Sequence, residues 1–150
     1  MDVSASQKRL GELAAAEGLP WGNRTHTYNS RLAQELGVWA DSEGKARLHD
    51  ALFRAYFVDG INLGDVEELA RIAESTGLSG PAAREVLTSR RFRKRVDEDW
   101  ARSRTLQIPG VPAFRAGENS VVGAQPFEML ERLVLQAGVE RRTPPPGSTP

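Results

Sequence analysis

The sequence predicts an α+β, predominantly helical fold, and three observations predict it. Six helical patterns follow one another from Ser6 to about Arg104, one pair of short β-prone runs comes next, and a last helical pattern closes the chain before a proline-rich end. The composition agrees. The chain has 150 residues, 39% of them hydrophobic and 27% charged, which is the ordinary range of globular domains. A chain of this size hides roughly 68–70% of the surface its unfolded form exposes, so it needs neither disulfide nor metal to hold a core.

Leu10, Leu13 and Ala14 give the first stripe, on a helix from Ser6 to Glu17 that Gly18 stops. A loop, Gly18-Leu19-Pro20-Trp21-Gly22, follows. Asn29 or Ser30 then caps a second helix, with Leu32, Leu36 and Trp39 on one face. The third, from about Lys45 to Phe57, carries Leu48, Ala51, Leu52, Ala55 and Tyr56, and Phe53 and Phe57 widen the stripe until this helix reads as the most buried of all. Asp65 with Glu68 three residues on has the form of a capping box, ahead of Val66, Leu69, Ala70 and Ala73 and a stop at Gly77. Ser79-Gly80-Pro81 opens a short helix to Leu87, because proline is tolerated where the first N–H groups have no helical partner. Arg90 to about Arg104 forms the sixth, with Phe92, Val96 and Trp100 as a buried stripe.

The period then changes from helical to alternating. Val111 to Arg115 and Ser120 to Val122 read as strands joined by Ala116-Gly117-Glu118-Asn119, a hairpin. Gln125 with Pro126 at a first helical position opens the final helix, whose predicted face is Phe127, Leu130, Val134 and Ala137 and whose stop is Gly138. Thr143 to Pro150, rich in proline with Gly and Ser, reads as a disordered tail. The organisation expected is thus a helical part over 1–107, a hairpin and helix over 108–139, and a tail over 140–150.

Charge and motif content exclude several classes of function. Twenty basic and twenty acidic side chains cancel, which removes any global attraction to nucleic acid or an anionic membrane. The run Arg90-Arg91-Phe92-Arg93-Lys94-Arg95 is followed at once by Asp97, Glu98 and Asp99, so it reads as the solvated side of an amphipathic helix and not as a nucleic-acid contact. No apolar stretch approaches a membrane span, and the first ten residues lack the apolar run of a secretory signal, so the expected location is the cytoplasm. With zero cysteines there is no disulfide, no thiolate nucleophile and no sulfur-ligated zinc. His26 and His49 stand in no metal-ligand spacing, and no phosphate loop or nucleophile elbow is present, so no catalytic residue, metal or cofactor is assigned.

Ile108-Pro109-Gly110-Val111-Pro112-Ala113-Phe114, followed by Asn119-Ser120-Val121-Val122-Gly123-Ala124-Gln125-Pro126, resembles the cis-proline loop and following hairpin of the DsbA family of thioredoxin-superfamily oxidoreductases. Upstream, Tyr28-Asn29-Ser30, Leu52-Phe53-Arg54-Ala55-Tyr56-Phe57, Gly60-Ile61-Asn62, Gly77-Leu78 and Val96-Asp97-Glu98-Asp99-Trp100 resemble, in order, the helical insertion of the FrnE-like branch. The similarity runs from about Leu10 to Gly138. It implies an incomplete thioredoxin-like fold with a helical insertion domain, lacking the family's N-terminal strand, Cys-x-x-C helix and strand.

What the resemblance implies for function follows from that gap. Gly110, Val111 and Pro112 would contact a peptide or thiol substrate, since a cis bond at Pro112 exposes the backbone groups of Val111 to an extended chain. Without cysteines the chain would be a truncated or catalytically inactive member. A glutathione-dependent isomerase of the same superfamily is the enzymatic alternative, because there the cofactor supplies the sulfur. A non-enzymatic helical interaction module, closed by its hairpin, is the alternative from another class. An unpaired hairpin edge lined by Ala113, Phe114, Val121 and Val122 also predicts self-association.

Overall fold

The structure is a computed structural model that describes residues 3–140, with side chains from Ser6 onward. The chain divides into two compact units, Met1–Trp100 and Ala101–Pro150, each described by itself. Its helices are α1 (Val3–Ala16), α2 (Arg31–Ser42), α3 (Arg47–Phe57), α4 (Val66–Ser75), α5 (Gly80–Ser89), α6 (Arg93–Thr105) and α7 (Phe127–Gln136). Between α6 and α7 lie strands β1 (Ala113–Ala116) and β2 (Asn119–Val122). Among the described residues no helix is long and apolar enough to cross a membrane. The predicted tail over Thr143 to Pro150 lies outside the described residues.

In the first unit the helix starts follow their caps. Asp65 accepts hydrogen bonds at Oδ1 from the N–H groups of Glu67 and Glu68, at 2.8 and 3.1 Å, and Ser79 Oγ accepts from the N–H of Ala82. These bonds satisfy donors that a helix leaves without internal partners. At α2 the capping residue is Ser30, but the side-chain bond comes from Asn29, whose Oδ1 accepts from the Arg31 N–H at 2.9 Å. The core gathers Leu36, Trp39, Leu48, Leu52, Leu69, Ala73, Val86 and Leu87, with α2 packed on α3, α4 and α5. Each fully buried leucine contributes about 2–3 kcal/mol through apolar area removed from water.

Two expectations about burial are corrected here. The most buried helix is α2, with Ala33, Glu35, Leu36, Gly37, Trp39 and Ala40 all inside, whereas α3 buries Leu48, Leu52 and Ala55. Phe53 stands 62% exposed, because Leu48, Leu52 and Ala55 form the side of α3 that packs on α2 and α4 and Phe53 lies off that side. On α6, Val96 is buried and Phe92 packs against the core, but Trp100 is 44% exposed. Its indole Nε1 donates to Gln34 Oε1 at 2.7 Å and the Arg31 guanidinium lies 5.0 Å from its ring centre, so the ring is held at the surface by polar contacts.

Glu35 is the buried charge of this unit. Its carboxylate accepts from Arg90 Nη2 at 2.6 Å and Arg90 Nε at 3.0 Å, and Arg31 Nε stands 3.9 Å away. The hydrogen bond that Arg90 donates to Glu35 raises the Arg90 pKa above its ordinary value; partial burial opposes this and the negative charge of Glu35 adds to it. Arg31 in turn pairs with Asp97 on α6. The basic run at the start of α6 is similarly spent on neighbours, with Arg93 on Asp97, Lys94 on Glu98 and Arg95 on Asp99.

In the second unit β1 and β2 pair antiparallel, Ala113 opposite Val122 and Ala116 opposite Asn119. The turn is therefore the two residues Gly117-Glu118, shorter than the four-residue connection expected. Gly117 takes φ 58° at the first central position, where a hairpin turn of this length requires a left-handed residue. α7 packs on both strands. Pro126 is its cap residue and not its first helical one, and the buried side chain is Leu133. The predicted face is thus displaced: Phe127 is 72% exposed and Val134 is half-exposed.

Candidate substrate-binding loop

The loop is set between the end of α6 and the start of β1. α6 closes by carbonyls accepting from beyond the helix: Arg102 from Leu106, Arg104 from Gln107 and Ser103 from Ile108. Gln107 takes φ 53°, a left-handed residue at a helix end, which turns the chain away from the helix axis. Pro109 and Pro112 then bracket Gly110 and Val111, and proline supplies no N–H, so the segment cannot fold back into a helix.

The Val111-Pro112 peptide bond is cis. The carbonyl of Pro112 accepts from the Gly123 N–H at 2.8 Å, which extends the hairpin ladder by one step beyond Ala113 and Val122. Gln125 Nε2 closes the far side by donating to the Val122 carbonyl at 2.7 Å. Val111 is 89% exposed, and no hydrogen bond among the described residues uses its backbone N–H or C=O. Among the described residues β1 has β2 as its one neighbour in a two-stranded sheet, so alternate backbone groups of Ala113 to Ala116 point outward from its other edge. Gly110, Val111 and Pro112 therefore stand together, contiguous with an open strand edge.

The chemistry available there is backbone pairing. No titratable side chain lies in the loop, and the nearest charged pair on the hairpin, Arg115 with Glu118 at 3.5 Å, sits at the turn end. The two histidines are elsewhere. His49 Nε2 is 2.9 Å from Asp41 Oδ1, and His26 stacks on Tyr28 with Nδ1 2.8 Å from Thr25 Oγ1. Among the described residues no group of three or more His, Cys, Asp and Glu is arranged to hold a metal ion. Of the tryptophans, Trp39 is core, Trp21 lies against Phe57 and Trp100 is at the surface. Sequence reading missed the Glu35 and Arg90 pair, since 55 positions separate its members and Arg90 reads there as part of a solvated basic run.

A helical unit, then a proline loop, a hairpin and a closing helix, is the DsbA-like thioredoxin arrangement with its helical insertion. The chain belongs to the DSBA-like thioredoxin domain family, whose model matches residues 2–134. Among solved structures it is similar to a probable DsbA oxidoreductase from Streptomyces coelicolor, at 31% identity and a TM-score of 0.78, over 93% of this chain and 62% of that one. It shares the fold of a 2-hydroxychromene-2-carboxylate isomerase, with a TM-score of 0.75 at 23% identity, over 89% of this chain and 66% of the isomerase. A curated relative is the uncharacterized protein YwbO of Bacillus subtilis strain 168, 24% identical over 113 residues, which are 75% of this chain and 46% of YwbO. The chain thus spans between about half and two-thirds of the length of these relatives.

Proposed function

We propose that this chain is the peptide-docking part of a DsbA-type, FrnE-like thiol–disulfide oxidoreductase, catalytically inactive by itself. The observation that carries the reading is the Gly110-Val111-Pro112 loop: an 89% exposed residue with free backbone N–H and C=O, continuous with an unpaired strand edge. An extended peptide or thiol substrate would add as a strand there, main-chain bonds giving affinity and side-chain pockets selectivity. Exchange requires a thiolate attacking a disulfide sulfur, and this chain contains no cysteine, so the sulfur chemistry would come from another polypeptide segment. Membership of the family and the 31% identity to the Streptomyces oxidoreductase support the assignment.

The isomerase fold neighbour favours one second reading, in which a bound glutathione supplies the sulfur and no protein thiol is needed. The two readings separate in one experiment. The purified chain is titrated with an unstructured cysteine-containing peptide, and separately with glutathione, while amide resonances are followed. The docking reading expects peptide-dependent shifts at Gly110, Val111, Ala113 and Phe114 and no turnover of a disulfide substrate. Glutathione shifts at another set of residues favour the isomerase. Peptide shifts confined to residues 6–100 overturn the docking reading, and so does disulfide turnover by the clean chain.

A further inference from the structure

We infer that the groove between the end of α1, the loop Leu19 to Gly22 and the last turns of α3 is a binding site for a small aromatic carboxylate. It is a cavity of about 280 Å³ in the first unit. Its wall is a ladder of rings: Trp21 stacks on Phe57 at 5.5 Å between ring centres, and Phe57 on Phe53 at 6.3 Å. Leu19 and Phe53 form the rim, 61% and 62% exposed. The single charged lining group is Arg54.

The groove is built by close backbone approaches. The Gly22 N–H donates to the Phe57 carbonyl at 2.9 Å, and the Leu19 N–H to the Ala14 carbonyl at 2.8 Å, which tie the loop to α3 and α1. A Cβ on Gly22 would fall 1.9 Å from the Val58 carbonyl oxygen, and one on Gly11 would come within 3.0 Å of the Trp21 ring. Arg24 Nη1 holds the next part of the loop by donating to the Tyr56 hydroxyl at 2.7 Å. The walls are therefore fixed before any ligand arrives, which lowers the ordering cost of binding.

Charge then selects the ligand. Arg31, Arg84 and Arg90 each have a carboxylate partner, whereas the Arg54 side chain has no ion pair or hydrogen bond among the described residues. An unpaired guanidinium beside stacked rings suits a molecule with a flat apolar body and one carboxylate. The body would stack offset on Phe53 and Phe57, and the carboxylate would take two parallel N–H bonds from Arg54. An aromatic amine would meet like charge. The volume lies just below the roughly 300–1,000 Å³ of drug-sized sites, so one or two fused rings fit.

The test titrates the full chain with 2-naphthoate, its neutral alcohol analogue and its amine analogue, followed by the indole N–H signals of Trp21, Trp39 and Trp100. Naphthoate should move Trp21 selectively, with a Kd on the order of a millimolar or tighter for so small a ligand. Phe53→Ala should weaken acid and alcohol alike, by roughly tenfold. Arg54→Gln should weaken the acid by about two- to fivefold and leave the alcohol unchanged. Both side chains are exposed, so neither substitution threatens folding. A Trp21 signal that does not move overturns the inference. An equal effect of Arg54→Gln on acid and alcohol does so too, as does a Phe53→Ala effect confined to self-association of the chain.

Discussion

Arg90 closes α5 in the left-handed region, at φ 55°, and at the same residue holds the wholly buried Glu35 carboxylate. Replacing it by alanine would leave Arg31, 3.9 Å from Glu35, as the nearest cation. Removing one partner of a fully buried ion pair costs about 3–5 kcal/mol. The Arg90 side chain is 38% exposed, so water reaches the vacated side, and the discounted figure is about 2–3 kcal/mol. Backbone conformation adds a second, separable effect. Alanine in the left-handed region is about 1 kcal/mol worse than glycine, so Arg90→Gly should be less damaging than Arg90→Ala although both lose the pair.

Urea unfolding followed by tryptophan fluorescence measures both differences, since Trp39 lies in the same core. The sign of the pH effect follows from the raised Arg90 pKa. A cation whose folded pKa is raised contributes fully below its unfolded value and loses that contribution only as pH rises through the folded one. The wild-type advantage assigned to Arg90 should therefore not fall between about pH 6 and about pH 9. An Arg90→Ala change within about 0.5 kcal/mol of wild type would refute the reasoning, because a surface substitution without partners does no more than that. Equal stability of the alanine and glycine variants would refute the conformational half.

Two further predictions need one measurement each. Gly22→Ala places a methyl against the Val58 carbonyl and breaks the Gly22 to Phe57 bond, so it should cost at least about 2 kcal/mol in thermal unfolding; a melting curve superposable on wild type would contradict the close approach. The second unit buries Leu133 and leaves Val111, Phe114, Val122, Phe127, Leu135 and Val139 exposed, so light scattering should detect self-association as concentration rises. A monomer across the whole series would refute the self-association expected of the open hairpin edge.

The parts legible in the sequence were those fixed by local rules. Asp65 and Ser79 sit at their caps because the carboxylate or hydroxyl bonds an N–H two or three residues on, and nothing distant competes. The hairpin was placed for the same reason, with each strand one residue longer at the turn that Gly117 tightens and β1 starting at Ala113 where Val111 was expected. Periodicity gave the helices but not always their inward face. Phe53 continues an apolar pattern and yet looks outward, and Leu133, outside the expected stripe of α7, is the buried one. Which side is covered depends on what packs there, and that is set by neighbours elsewhere in the chain.

Glu35 carries the same lesson further. A glutamate between Gln34 and Leu36 on an amphipathic helix reads as the polar side of a surface turn. It becomes a core group because Arg90, at the end of a helix three elements later, reaches it with two donors while its own backbone adopts a conformation that arginine seldom takes. Two unfavourable choices, a buried carboxylate and a left-handed arginine, are compatible because each requires the other: the turn at φ 55° aims the guanidinium inward, and the guanidinium satisfies the carboxylate. The pair joins α2 to the end of α5, and Arg31, one turn before Glu35, continues the chain of charges to Asp97 on α6. The helical unit thus fastens α6 by polar contacts at its rim in addition to Val96 at its core. A double substitution of Glu35 and Arg90 by leucine would test that division of labour: it should recover most of the stability lost by Arg90→Ala, because replacing both members of a buried pair removes the uncompensated charge.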